Sequence, residues 1–383
     1  MPEQFLHGVE VIEIDAGPRP IQTVKSSVIG IVGTAPDADP VAFPADTPVL
    51  VAGSLKAAAA LDTKGTGAGT LPGAMDGIFD QCGAVVVVVR VEEGADDDAT
   101  KQNVLGGVEA DGSYTGLKAL LGAESKLGFQ PRLLCAPGFS HDQTIAAEME
   151  SLAAKMRAIA ILDGPNKVDS DAIDYVRNFG QRCYVVDPWV IANGKAEPAS
   201  ARICGVIART DNEQGFWHSP SNKPIYGITG TARPVDFVLG DTSSRANLLN
   251  EKHVSTIIRM DGYRLWGNRT CNTTDSKWFF LSVRRTADII NDSLLRAHMW
   301  AVDRNITKTY IEDVTGGVNA YLRSLQAQGA ILGGECWADP DLNSPANIQL
   351  GKVFFNFDFT PPYPAEHITF RSHLVNDYLE EIL

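Results

Sequence analysis

Gly65-Thr66-Gly67-Ala68-Gly69 is the segment of this chain most like a phosphate cradle, because glycines let backbone N–H groups close on an anion. It fails the G-x-G-x-x-G pattern, since Thr70 and Pro72 stand at the possible third positions. It also follows Asp62-Thr63-Lys64 rather than an apolar strand, and a surface loop is the plainer reading. No Gly-x-x-x-x-Gly-Lys-Ser/Thr occurs in the sequence. Gly138-Phe139-Ser140-His141-Asp142 brings together the residue types of acyl transfer, but Asp142 stands where a nucleophile elbow needs its second glycine. Three adjacent residues cannot converge as a triad, whose members come from different elements. A loop opening a capped helix accounts for them. Glu92, Glu93, Asp96, Asp97 and Asp98 could attract a hard cation, yet they lack the alternating ligands, central glycine and distal glutamate of a calcium loop. They read as a solvated hairpin tip. His367 and His373 have no third ligand nearby, and the seven histidines form no HExxH. The chain is therefore read as not an enzyme, with no catalytic residue, cofactor or metal site.

Charge is the next signal. Lys and Arg number 33 against 47 Asp and Glu, a formal net charge of -14 in 383 residues. Such an anionic surface repels phosphate, so nucleic acid is not expected as a partner. No apolar run approaches the length of a membrane span, and membrane insertion is not expected either. The start, Met1-Pro2-Glu3-Gln4-Phe5, carries no basic segment leading into an apolar one, so no signal peptide is expected. The six cysteines never form CxxC and suit reduced, buried thiols. One stretch departs from the bulk. Between Lys277 and Lys308, Lys277, Arg284, Arg285, Arg296, Arg304 and Lys308 face only Asp288, Asp292 and Asp303. Arg285 and Arg296 are close to three helical turns apart and share a side, which makes this a candidate docking face.

The elements that would position these residues follow from periodicity. Residues 8–14, Gly8-Val9-Glu10-Val11-Ile12-Glu13-Ile14, alternate apolar and acidic residues and read as a strand, set off by Pro18 and Pro20. Val28-Ile29-Gly30-Ile31-Val32-Gly33 is apolar on both faces, as a buried parallel strand is. Residues 36–81 read as loops with one helix over 54–61. Strands are then expected over 85–89, 132–136, 158–162 and 183–186. Helices are expected over 114–121, 142–157, 170–180 (with Gly180 as C-cap) and 199–209. That alternation indicates βαβ units and a parallel sheet. After a Gly- and Pro-rich loop over 215–234, strands are expected over 254–260 and 279–283, followed by two long amphipathic helices. The second of these stops at Gly329. Strands over 352–359 and 368–374 close the chain, the last behind Pro361, Pro362 and Pro364. Both ends thus look like strands with no local partner.

Several of these segments resemble one family, the sheath proteins of contractile phage tails and related pyocin-like particles. The opening from Gly8 through Arg19-Pro20-Ile21 to Thr34-Ala35-Pro36 is similar to the family's N-terminal signature. So are Ser219-Pro220-Ser221-Asn222-Lys223-Pro224-Ile225 with Gly227-Ile228-Thr229-Gly230, and Val283-Arg284-Arg285-Thr286-Ala287-Asp288. Asp261-Gly262-Tyr263-Arg264-Leu265-Trp266-Gly267-Asn268-Arg269-Thr270 is the most specific match, and Asp358-Phe359-Thr360-Pro361-Pro362-Tyr363-Pro364-Ala365-Glu366-His367-Ile368 adds to it.

The resemblance implies an α/β fold whose parallel-sheet outer domain is inserted into an inner, mixed α/β domain with extended N- and C-terminal strand arms. On this sequence that gives an N-terminal arm over 1–22, an outer domain over 23–245 and an inner domain over 246–383. It implies a structural virion subunit assembled in the host bacterial cytoplasm as hexameric rings. The rings stack into a helical sheath that contracts to drive the tail tube through the host envelope. Implied partners are further copies of itself, the tail tube protein, and the baseplate and tail terminator proteins. Val9, Val11, Ile12, Ile14, Ile368, Phe370 and Leu374 would be inter-subunit arm residues, and Arg285, Arg296 and Arg304 would dock on the tube. A strand without a local partner fits donation to another chain independently of the resemblance. The alternatives are a soluble α/β enzyme or small-ligand-binding protein, which predicts a small closed oligomer, and a non-contractile virion subunit, which would use the same arms.

Overall fold

The computed structural model describes residues 20–53 and 55–376. Six strands make its central sheet: β1 (Ile29–Thr34), β2 (Pro48–Ala52), β3 (Val85–Val91), β4 (Leu133–Cys135), β5 (Ile159–Asp163) and β6 (Cys183–Val186). Their order is β2-β3-β1-β4-β5-β6. All neighbours run parallel except the edge strand β2, which is antiparallel to β3. Strands covered on both faces must be apolar throughout, and Val86 to Val89 are fully buried for that reason. Gly30 is needed in β1 because a Cβ there would come within 2.9 Å of Pro131 Cβ.

Helices α1 (Leu55–Ala58), α2 (Leu71–Phe79), α3 (Asp97–Leu105), α4 (Ala123–Leu127), α5 (Gln143–Met156), α6 (Asp169–Val176) and α7 (Ser200–Glu213) cover the sheet. Leu71, Met75 and Ile78 of α2 pack with Ile203 and Ile207 of α7 on one face. Ile145, Met149 and Leu152 of α5 pack with Ala172 and Val176 of α6 on the other. Next come a small sheet of β7 (Val190–Ala192), β8 (Lys195–Glu197) and β9 (Gly230–Thr231), helix α8 (Arg245–Glu251), and a hairpin of β10 (Thr256–Arg259) and β11 (Tyr263–Trp266). Leu249, Val254, Ile257 and Leu265 from this stretch are buried in the same two cores. The chain ends in α9 (Leu281–Ala297), α10 (Lys308–Ala327), β12 (Cys336–Ala338), α11 (Pro345–Gln349) and β13 (Phe355–Phe357). A third core joins Ile289 and Ile290 of α9 to Val318, Leu322 and Leu325 of α10, with Phe355, Phe357 and Phe359 against it.

The parallel sheet and its helices match the expectation from periodicity, and several local readings are corrected. Residues 36–81 hold β2 and α2 as well as the expected helix. The acidic run at 92–98 opens α3, with the Asp96 carboxylate accepting from Ala99 N–H at 2.7 Å. Acids favour that position because they satisfy free N–H groups and the positive end of the helix dipole. Residues 116–122 form a 3-10 rather than an α-helix. Gly180 is not a C-cap, because α6 ends at Val176; Gly180 N–H instead donates to Glu150 Oε1 at 2.7 Å. The strand expected over 279–283 is the start of α9, with Phe280 as N-cap and a single bridge to Arg269. A short apolar run reads equally as strand or buried helix, and length decides here in favour of the helix. Residues 368–374 form no strand within the chain.

Candidate assembly surface

Helix α9 carries Arg284, Asp288, Asp292 and Arg296 at intervals of four, so they form one row along the helix. Facing the row are three arginines that sit just before neighbouring strands: Arg132 before β4, Arg157 before β5 and Arg182 before β6. Arg132 pairs with Asp292, which Arg157 also approaches at 3.5 Å, and Arg182 forms a two-point pair with Asp288, one arm at 2.9 Å. Arg284 donates to Asp288 at 2.7 Å and lies over the Trp278 ring. The helix therefore lies across the amino ends of three adjacent parallel strands, held by charge. Burial lowers the Arg132 and Arg284 guanidinium pKa from the usual value, while the paired carboxylates oppose that shift.

The segment entering β1 is tied to the same helices. Val24 N–H donates to Ser293 Oγ at 3.0 Å, and the Thr23 hydroxyl meets Tyr321 OH at 3.1 Å. Arg285 forms a two-point pair with Asp211 of α7 at 2.8 and 2.6 Å and donates to Ser26 O at 3.2 Å. Arg285 is only 4% exposed, which corrects its expected place on a docking face. Two of the six basic residues read from the sequence leave that surface, because Arg284 and Arg285 are turned to internal carboxylates. Arg296 stays half-exposed, paired with Glu124 at 2.5 Å and Asp292 at 3.2 Å. Arg304 is exposed and lies over the Trp300 ring, 4.9 Å from its centre. Asp211 of α7 escaped the sequence reading, and Asp288 and Asp292 were counted there only as acids within the basic stretch; the four-residue spacing of charges along α9 was the signal that could have shown those two as an internal row.

The carboxyl ends of the parallel strands, where an enzyme of this architecture would hold its ligand, are occupied by internal bonds. Asp163 at the end of β5 is buried and accepts from Ser140 Oγ at 2.9 Å, Ser200 Oγ at 2.7 Å and Ser200 N–H at 2.8 Å. Burial raises its pKa, and those hydrogen bonds oppose the rise. Asp142 caps α5, and the His141 ring meets Trp189 edge-on. Ser140, His141 and Asp142 thus serve three separate contacts. Asp187 beyond β6 pairs with Arg233, which also holds Asp169 at 2.8 Å. Among the described residues, no group of three His, Cys, Asp or Glu side chains could hold a metal ion, and all six cysteines are free.

Toward the C-terminus, β12 and β13 form a two-stranded sheet, with no further strand beside it among the described residues. A cleft of about 510 Å3 lies beside β13, lined by Leu294, Leu295, His298, Met299 and Val302 along with Phe357. Glu366 is held by a two-point pair with Arg269, at 2.8 and 2.5 Å. Beyond that clip the chain leaves the body. Ile368 is 67%, Phe370 92% and Leu374 99% exposed. Val9, Val11, Ile12 and Ile14 lie outside the described residues.

Comparison with known proteins agrees with this geometry along its length. Residues 26–91 match the family described as tail sheath protein Gp18 domain III, N-terminal region. Residues 112–271 match the phage tail sheath protein central domain, and 273–374 its C-terminal domain. A protein of Pseudomonas aeruginosa strain UCBPP-PA14, named as a prophage major tail sheath protein, is 49% identical over 99% of both chains. The tail sheath protein of Escherichia phage P2 is 38% identical over 99% of this chain and 98% of its own. Among solved structures, the contracted helical sheath of the anti-feeding prophage shares the fold, with a TM-score of 0.73 at 20% identity, over 98% of this chain and all of that one. Identity that persists from the sheet body through the charged helix to the tail makes this chain a member of the phage tail sheath protein family, a structural component of a contractile tail.

Proposed function

We propose that this chain assembles with copies of itself into hexameric rings stacked around a tail tube, and that the resulting sheath contracts to drive the tube through a host envelope. The observation that carries this reading is the C-terminal tail, whose Ile368, Phe370 and Leu374 have little cover among the described residues. Apolar side chains left in water at alternate positions of an extended segment are stabilised when a second chain pairs with the segment and covers them. The acidic, alternating residues 8–14 are a second such segment by sequence. In this reading the sheet body is the outer part and the C-terminal helices are the inner part. Arg296 and Arg304 are the remaining candidates to face an acidic tube, and a baseplate and a terminator bound the two ends. Assembly takes place in the host cytoplasm. The role is mechanical, with no catalysis, which accords with the internal bonding of Asp163 and Asp187. Negative-stain electron microscopy of the purified, concentrated protein tests the proposal. Hollow tubes with a helical surface lattice are expected; uniform small particles at every concentration, including with tube protein added, would refute it.

A further inference from the structure

The charges of the sheet body are sorted along the strand axis. Strands β3, β1, β4, β5 and β6 run parallel, so their carboxyl ends form one pole of the body and their amino ends the other. Helices α3, α5 and α6 start beyond the carboxyl ends of β3, β4 and β5, and their caps or first turns hold Asp96, Asp97, Asp98, Asp142, Asp169 and Asp171. Helices α4 and α5 end before the amino ends of β4 and β5, and their last turns hold Lys126 and Lys155. Each choice suits the dipole of its own helix. Because the units are parallel the choices add, and one pole becomes acidic and the other basic. Around α3, Arg90 holds Glu92 at 2.7 Å and Lys101 approaches Asp98 at 3.5 Å. Glu93 and Asp97 are exposed, with no ion-pair partner among the described residues. At the basic pole, a cleft of about 600 Å3 lies between Lys25, Phe129 and the end of α9, walled also by Arg132, Arg296 and Trp300. Arg132 and Arg296 are answered by Asp292 and Glu124. Lys25 is not: its Nζ lies 4.3 Å from the centre of the Phe129 ring. It is exposed, as is Lys126 two residues before the Gly128 wall, and neither has an ion-pair partner among the described residues.

We infer that the acidic start of α3, residues 92–98, seats on the basic cleft at Lys25 of a second copy of this chain, pole to pole; this rests on the assembly reading above. Charge selects the occupant. A chain of net charge -14 repels its own copies at a distance, so a contact between copies needs opposite charges where they meet. Five of the seven residues from 92 to 98 are acidic. In residues 8–14, by contrast, Glu10 and Glu13 fall on opposite faces of the expected strand, so only one of them meets the cleft. Geometry then sets the form of the contact. The two surfaces lie at opposite ends of the strands, so a copy cannot use both on the same neighbour. Such a head-to-tail contact repeats into a ring or a helix instead of closing as a dimer.

Sedimentation of the full chain at about 0.1 M and about 1 M salt tests the assignment, because the higher salt screens exposed charges. Glu93→Lys with Asp97→Lys reverses the acidic start of α3, and Lys25→Glu with Lys126→Glu reverses the cleft. At the lower salt each double variant is expected to self-associate roughly tenfold more weakly than the parent. An equimolar mixture of the two is expected to recover the parent's association, since each supplies the charge that the other lacks. A chain with all four changes should associate like the parent, and the differences should shrink at the higher salt. If a reversed variant melts early, Asp97→Asn and Lys25→Gln replace it, and the pair together should weaken association no more than either alone. Variants that associate like the parent, a mixture no stronger than its components, or no measurable association of the parent would overturn the assignment. Weakening by cleft reversal without rescue would give the cleft to other carboxylates, Glu10 and Glu13 among them, and overturn it too. Tube formation is scored separately. Tubes without charge rescue leave the sheath reading standing and remove this one, and charge rescue without tubes does the reverse.

Discussion

The residue scale shows best in charges that the fold has taken inside. Arg285 and Asp211 are both almost fully buried and bonded to each other and to Ser26. Removing one member of such a pair leaves the other charge uncompensated, at a cost of about 3–5 kcal/mol. Arg285→Ala is therefore expected to lose stability of that order in urea unfolding, and Arg285→Met with Asp211→Leu to lose much less. His253 gives a pH prediction. Its Nδ1 meets Thr270 O at 2.8 Å, so that nitrogen carries the hydrogen and Nε2 faces Arg269 at 3.3 Å. Burial lowers the His253 pKa, Arg269 adds to the lowering, and the Thr270 bond and Glu366 oppose it. The unfolded chain then takes up the proton first, and stability falls as pH drops from about 6.5 through the folded value. Asp163 works the other way at lower pH, because burial raises its pKa. His253 has φ of 64°, a left-handed conformation that asparagine tolerates. His253→Asn should fold and show a smaller drop in melting temperature between about pH 7 and pH 5 than the parent. An unchanged drop would remove His253 from the pH response.

Among the elements, α9 matters most, because it bridges two cores. Its aspartates reach arginines at the starts of β4, β5 and β6, and its apolar side packs on α10. Asp292 serves Arg132, Arg157 and Arg296 together. Asp292→Ala should speed hydrogen exchange in α9 and α10 while amides of the central sheet keep their protection; uniform loss across the sheet would show that α9 is no separate unit. A smaller effect belongs to α5. Asp142 accepts from Thr144 N–H at 2.9 Å, and Asp142→Ala is expected to cost about 1 kcal/mol in thermal unfolding.

At the scale of the molecule, the tail leaves the body at a defined place. The Arg269–Glu366 pair and the contact of Phe280 with Tyr363 anchor the chain up to that point. Deleting residues 367–383 should leave the melting temperature of the unassembled protein unchanged and abolish tubes. A fall in that melting temperature would mean that the tail folds onto its own subunit, contrary to the exposure of Ile368, Phe370 and Leu374.

What the sequence determined by itself was what short-range pattern dictates. The Val85–Val91 run, the alternation of strands with capped helices, the lack of phosphate and metal motifs and the unpaired tail could all be read residue by residue. Periodicity reports which side of an element is apolar, and it does so without knowing the partner. Only the tertiary structure decided where the charges went. Arg132, Arg157 and Arg182 are distant from Asp288 and Asp292 in sequence, so no local pattern could show that the aspartates of this stretch form an internal clamp. It also decided that Phe279 and Phe280 lead into a helix, and that the Asn319 side chain of α10 bonds the Cys336 backbone of β12. A side chain's partner is fixed by chain reversals many residues away, and that geometry exists only once the chain has folded.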